Sequence, residues 1–295
     1  MEQNGAEKKS PLIGLVGVVG IWVTAGLALP FVNVRKEFTP EQLMVFRGFL
    51  PALIAFVLLR GKIGKVDKYT WLIGLTLPLA TLGLFEGIRN WGVGPTLIVV
   101  TGTPVVNFFI GRFLKRPVSD MTITSLIIMI CGVALACKGG HFNWPGFLWS
   151  VEGTIANGIL YELFARAKTK PLQKCFFSCF GMGALGLLLS FADATPWVAE
   201  TFTLPMTLQL VTFAFVGGFL YWIANQAAFK HLETMRASVL AQGETPAAMI
   251  GAYLLLGEKL SMNQWVGTII ALAAAVSLVY ATAKEAKEPA AVATT

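Results

Sequence analysis

The sequence predicts an all-α integral membrane protein, with ten transmembrane helices arranged as two inverted five-helix repeats. Three observations carry that prediction. Hydrophobic residues make up 55% of the 295-residue chain and charged residues only 13%, about half the charge of an average soluble protein. Apolar blocks close to the ~20 residues needed to span a bilayer recur ten times. Thr103-Pro104 recurs as Thr245-Pro246, each time ahead of an apolar half-helix, a short charged turn and another apolar helix. So few charges cannot cover one or two soluble domains of this size. Disorder, a secreted disulfide scaffold and a free cytosolic enzyme are excluded.

The first block, Leu12–Val32, is too long for a removed signal and lacks a small-residue cleavage site, so it reads as a helix. Glu41–Leu59 and Trp71–Trp91 follow, separated by the charged stretch 60–68. Pro95–Phe113 and Met121–Cys137 flank the basic turn of Arg112, Lys115 and Arg116. Pro145–Phe164 and Leu172–Ala192 are parted by Arg166, Lys168 and Lys170. Thr207–Phe229, Met235–Leu256 and Met262–Ala283 complete the set. Pro78, Pro104 and Pro246 lie inside blocks, which membrane helices tolerate because neighbours satisfy the freed carbonyls. The repeats are expected at 12–137 and 145–283, with cytoplasmic tails at 1–11 and 284–295. The C-terminal tail, polar or small in composition, reads as disordered.

The net charge of +7 is a topology signal. Ten crossings put both termini on one side. If that side is cytoplasmic, it receives seventeen of the 23 Lys and Arg residues. The outer side receives five (Arg35, Lys36, Arg89, Lys138 and Lys259), and Arg47 lies within a helix. The positive-inside rule then places both termini in the cytoplasm, with the chain multi-pass in a bacterial inner membrane. The basic residues form no stripe, so no nucleic-acid partner is expected. An odd number of helices per half turns the second half upside down. The turn chemistry agrees: Arg112, Lys115 and Arg116 belong inside, whereas Glu258 and Lys259 belong outside.

Charges within a membrane are costly and mark candidate sites. Arg47 is one, with an ion pair or a clamp on backbone carbonyls as the structural alternative. Glu86 and Asn90 are four apart and share a helix face, offering an acceptor to an ammonium and a donor to a carboxylate. The alternative for Glu86 is pairing with Arg47 or Arg89. Glu152 reaches a similar depth. Glu244 stands beside Gln242 and two residues before Pro246. Pro246 and Pro104 cannot donate to the carbonyls of Gln242 and Val100, so free acceptors are expected at mid-membrane unless the prolines are simple kinks. Paired interruptions in two halves point to a central site. Glu162 is explained by an i,i+4 pair with Arg166.

Polar residues at helical spacing extend the candidate site: Thr103 with Asn107, Asn157 with Tyr161, and Trp222 with Asn225 and Gln226. Interhelical hydrogen bonding is their structural alternative. Trp22 and Trp222 could stack on an apolar or aromatic substrate, or pack. His141 and His231 fall in loops, which argues against a proton relay. Gly83-xxx-Gly87 allows close helix approach. Cys131, Cys137, Cys175 and Cys179 follow no zinc or disulfide spacing and read as packing residues. No metal or cofactor is expected.

The chain resembles the EamA-type members of the drug/metabolite transporter superfamily. The resemblance rests on the two five-helix repeats, on the turn from Pro246 to Leu260 that contains LGEKL, and on Arg47 in LMVFRGFL. It covers about residues 12–283, with one departure: Arg116 stands in the Glu position of the first-half turn. The segment LGLFEGIRNWG of the third helix is most similar to the aromatic amino-acid exporter branch. The resemblance implies export of small metabolites through a central cavity whose ends open alternately.

The expected function is a secondary transporter exporting amino acids, aromatic or neutral, and related small metabolites. Alternatives are a drug or other metabolite exporter of the same fold, and a passive channel. A membrane enzyme is disfavoured, because the sequence holds no HExxH, Walker A or GxSxG motif. The expected partners are the small-molecule substrate and membrane lipid. Proton coupling and oligomeric state, a monomer included, are not fixed by the sequence.

Overall fold

The computed structural model describes residues 10–28, 38–91, 93–116, 119–136, 143–193, 197, 202–256 and 261–287. The helices of the first half are α1 (Pro11–Ala28), α2 (Pro40–Leu58), α3 (Lys68–Trp91), α4 (Val93–Val100), α5 (Thr103–Phe113) and α6 (Asp120–Ala136). Those of the second half are α7 (Trp144–Arg166), α8 (Pro171–Ala192), α9 (Leu204–Ala214), a π-helix (Phe215–Leu220), α10 (Tyr221–His231), α11 (Thr234–Ala241), α12 (Glu244–Leu256) and α13 (Met262–Lys287). Each of the ten expected apolar blocks holds helix among its described residues, and positions 29–32 of the first lie outside them. The turn at Glu258 and Lys259, Cys137 and His141 lie outside the described residues.

Helix starts follow from local chemistry. Thr39 caps α2 in a reciprocal box with Gln42, with Pro40 in the first turn. Asn143 caps α7 through the amide of Gly146, and Thr203 caps α9 through that of Met206.

Paired interruptions were expected in the fourth and ninth spans, with simple kinks as the alternative, and both spans are broken. The fourth is split into α4 and α5 at Thr101-Gly102, and the ninth into α11 and α12 at Gln242-Gly243. Pro104 and Pro246 fall in the first turn of α5 and α12, where a missing N–H breaks no helical bond. The carbonyls expected to be free are taken. Thr103 Oγ1 donates to the Val100 carbonyl at 2.7 Å. The Thr245 amide donates to that of Gln242 at 3.1 Å.

Five described helical stretches are long and apolar enough to cross a membrane: Pro11–Ala28, Pro40–Leu58, Lys68–Trp91, Pro171–Ala192 and Leu204–His231. Of the other spans, two are broken, α6 has 17 residues, and α7 carries Glu152, Glu162 and Arg166. Outward-facing Val16, Leu75, Phe113, Leu188 and Leu254 give the bundle an apolar exterior.

Helices pack in a regular scheme. The third span (α3) lies along the sixth (α7), and the first (α1) along the eighth (α10). The second (α2) pairs with the seventh (α8), and the fifth (α6) with the tenth (α13). The broken spans follow suit, α4 and α5 against α7, and α12 against α1. Exchanging each span with the one five places later leaves this scheme unchanged. Small residues set the close approaches. A Cβ on Gly48 of α2 would meet the backbone of Gly183 and Cys179, and one on Gly83 of α3 would meet that of Gly153. Gly87, one turn on, faces Ser150 of the same partner helix α7.

At one end of the bundle, two acids bind the basic loops together. Glu162 accepts from Arg116 at 2.8 and 3.0 Å and from Arg166 at 2.7 Å. The i,i+4 pair expected from the sequence is thus present, with Arg116 added to it. Asp67 accepts from the amides of Thr70, Lys168 and Thr169 at 2.8, 2.6 and 3.0 Å, joining the α2–α3 loop to the α7–α8 loop. Partial burial raises its pKa, but these amides more than offset that, and the carboxyl sits below the ordinary Asp value.

Two predictions follow from this packing. Gly83→Leu forces a side chain into backbone and should destabilise the bundle by about 1–3 kcal/mol or more, seen as a lowered melting temperature in detergent. A depressed carboxyl stabilises the fold above its unfolded pKa of about 3.9 and loses that effect as pH falls through the folded value. The melting-temperature advantage of wild type over Asp67→Asn should therefore be full at pH 7 and shrink as the protein is acidified.

Candidate functional site

A central cavity lies where the two broken spans meet the rest of the bundle. α3 contributes Leu77, Ala80, Thr81 and Leu84, and α4 contributes Leu97 and Val100. Asn157, Leu160, Tyr161 and Phe164 come from α7, and Cys179 and Met182 from α8. Arg47 of α2, Gly218 of the π-helix, Tyr221, Trp222 and Asn225 of α10, and Glu244 at the start of α12 complete the lining. The cavity encloses about 70 Å³. That is room for a few waters, below the ~300 Å³ of a filled small-molecule site.

The π-helix explains how Arg47 is held. Its wider turn displaces backbone groups from regular α pairing. Arg47 Nε donates to the Gly217 carbonyl at 3.1 Å. Gly218 lies against Pro51 of α2, so the glycine pair lets the two backbones come close. The guanidinium sits over the rings of Phe85 and Tyr221, at 5.6 and 5.7 Å from their centroids. Of the alternatives open in the sequence, the carbonyl clamp is the one present.

Glu244 stands just after the break in the ninth span. Its Oε2 accepts from the Tyr221 hydroxyl at 2.8 Å. Tyr161 stacks on Phe229 at 4.1 Å, and Trp222 meets Phe164 edge-on at 5.4 Å. The Asn225 amide nitrogen donates to the Tyr221 carbonyl at 2.9 Å. Asn225 Oδ1 and Trp222 Nε1 are buried with no hydrogen-bond partner among the described residues.

Five of the candidates read from sequence therefore share this cavity: Asn157, Tyr161, Trp222, Asn225 and Glu244. The other seven lie outside its lining. Trp22 Nε1 donates to the Leu240 carbonyl at 2.8 Å, supporting the break in the ninth span from α1. Glu86 is tied at the far end of α3 to Arg89 at 3.3 Å and to Asn90 at 3.0 Å, so the shared face of Glu86 and Asn90 is spent on each other. Thr103 is occupied by Val100, and the Asn107 amide nitrogen donates to the Gly158 carbonyl at 2.7 Å. Gln226 reaches Pro171 at 3.0 Å and Gln242 reaches Ser238 at 3.2 Å. Glu152 rests on Gly83, with Oε2 buried and unpartnered among the described residues.

Tyr221 was not singled out in the sequence. The available signal was Gly217-Gly218, separated by Phe219 and Leu220 from Tyr221-Trp222, where a helix loosens ahead of a polar run. Arg47 was weighed, but its facing partners were not legible.

Among the described residues, apolar helices surround a largely apolar cavity that carries a few charged and amide groups, which suits a membrane transporter, and the comparisons with known proteins agree. Residues 145–280 match the EamA-like transporter family. A protein of Archaeoglobus fulgidus described as an uncharacterized transporter is 23% identical over 240 residues, covering 78% of this chain and 82% of the relative. A solved structure, described as "Crystal structure of protein", superposes with a TM-score of 0.76 at 13% identity, over 94% of this chain and 100% of that one. That likeness shows the fold. Together the family match and the relative support a membrane transporter and not an enzyme.

Thiol labelling tests the lining. In a background without native cysteines, Asn157→Cys and Asn225→Cys should react with a small water-soluble reagent and be protected by transported substrate. Asn90→Cys, outside the lining, should react without protection.

Proposed function

We propose that the chain is a secondary transporter exporting amino acids, aromatic or neutral, and related small metabolites across a bacterial inner membrane by alternating access. The observation that carries this reading is the cavity at the junction of two broken spans, which hold corresponding places in the two halves. Opposite charges, amides and aromatic rings line it together, as an amino acid requires.

The exchange-symmetric helix pairing supports inverted repeats at 12–137 and 145–283. The family match over 145–280 nearly coincides with the second of these. The loops gathered by Asp67 and Glu162 carry Lys168, Arg116 and Arg166, which supports a cytoplasmic assignment for that end and hence for both termini. A cavity of about 70 Å³ must widen to admit an aromatic amino acid. Relative movement of the helices that wall it supplies the space. A drug or other metabolite exporter of the same fold differs in substrate alone.

Counterflow in liposomes tests the proposal. Reconstituted protein preloaded with unlabelled amino acid should accelerate uptake of labelled amino acid, with saturation, and a pH gradient reports any coupling to protons. Flux that neither saturates nor shows counterflow would establish a channel instead.

A further inference from the structure

The cavity lining holds a half-buried positive group and a half-buried negative group that form no ion pair with each other among the described residues. Arg47 is half-buried in the cavity lining, and Nε is its one hydrogen-bonding atom engaged among the described residues, by the Gly217 carbonyl. The guanidinium carbon lies 5.6 and 5.7 Å from the ring centroids of Phe85 and Tyr221, and Arg47 lines the cavity. Glu244 uses Oε2 on the Tyr221 hydroxyl, and Oε1 meets no hydrogen-bond donor among the described residues. Both side chains line the same cavity, but the ion pairs among the described residues do not include one between them.

A structural pair buried in low dielectric gains most by closing into direct contact, because each unpaired charge is strongly penalised. Here the backbone clamp holds one partner back and the tyrosine holds the other. The arrangement is also one-sided. The break in the fourth span has Gly102 before its Thr-Pro, where the ninth has Glu244, so the symmetry of the bundle does not demand this charge.

We propose that Arg47 and the Glu244–Tyr221 pair are the two poles of a zwitterion-reading site: Arg47 takes the carboxylate of an amino acid through its free guanidinium edge, and Glu244 takes the ammonium. The planar fork of arginine matches a carboxylate with two parallel hydrogen bonds. A carboxylate oxygen is the stronger class of acceptor for an ammonium. Leu160, Phe164, Met182 and Trp222 give the remaining wall, which suits an apolar or aromatic side chain. The assignment rests on the exporter reading above and adds which charge reads which end. It also explains selectivity: a molecule with one charged end leaves the opposite pole desolvated and unpaired.

The test is competition against labelled phenylalanine in counterflow, with reconstituted full-length protein. The competitors are phenylalanine, phenethylamine (no carboxylate) and 3-phenylpropionate (no ammonium). Wild type should favour phenylalanine over either analogue by at least about tenfold. Arg47→Gln should abolish the advantage over phenethylamine, and Arg47→Lys should restore part of it. Glu244→Gln should abolish the advantage over 3-phenylpropionate. A monodisperse elution profile and a cooperative melting transition without substrate confirm that each variant is folded. If a variant does not fold, the wild-type panel decides: counterflow without preference for the zwitterion overturns the assignment and leaves the exporter reading standing. Unchanged preference in folded Arg47→Gln or Glu244→Gln overturns it equally. Absence of counterflow for every amino acid in wild type defeats the exporter reading itself.

Discussion

In hydrocarbon there is no water to pair with backbone N–H and C=O groups, so each must find a partner inside the protein. The rest of this structure depends on that constraint. A span broken at mid-membrane is tolerable where neighbours take up the exposed carbonyls. In the fourth span Thr103 Oγ1 covers Val100, and Thr154 Oγ1 of α7 reaches Val99 at 3.2 Å. In the ninth, Trp22 of α1 covers Leu240 and the Thr245 amide covers Gln242. Each break is thus supported by the long helix packed beside it, the sixth span in one half and the first in the other. Once those carbonyls are paired, the two breaks can meet at the centre and leave their side chains to line a cavity.

The same constraint shapes the charged pole. A π-helix in the eighth span shifts backbone out of regular α pairing, and the Gly217 carbonyl accepts from the Arg47 side chain. That bond and the two flanking rings make a buried guanidinium bearable without a salt bridge. At the opposite extreme, Glu86, Arg89, Asn90 and Glu41 form a cluster at the end of α3, where Arg89 is largely exposed. Here a largely exposed guanidinium meets two mostly buried carboxylates. The buried centre, by contrast, holds its charges without neutralising them, and there a ligand has most to gain.

Close packing then fixes where those groups stand. Gly48 against Gly183 and Gly83 against Gly153 bring helix backbones together in the absence of a hydrophobic force between helices in lipid. Because α3 lies on α7 and α2 on α8, Arg47, Thr81, Asn157 and Cys179 come from four helices to one wall. Substrate-sized space requires these contacts to yield in concert, and the exchange-symmetric pairing gives two matching sets of helices between which movement can be shared.

The sequence by itself determined the solvent and the count of spans. Composition and block length depend on local residue chemistry, so ten apolar helices, their proline-rich starts, the Glu162–Arg166 pair and the Gly83-xxx-Gly87 approach were all legible in it. Thr103-Pro104 and Thr245-Pro246 also marked the two interruptions correctly. Only the tertiary structure decided what each polar residue does. Glu86 and Glu244 look alike in sequence, each an acid in an apolar helix, yet one pairs with Arg89 at a helix end and the other lines a cavity together with Arg47. Trp22 and Trp222 likewise divide into a carbonyl donor and a cavity wall. Helical periodicity assigns a residue to a face, whereas the partner that face meets comes from a helix over a hundred residues away, and that partner sets the role.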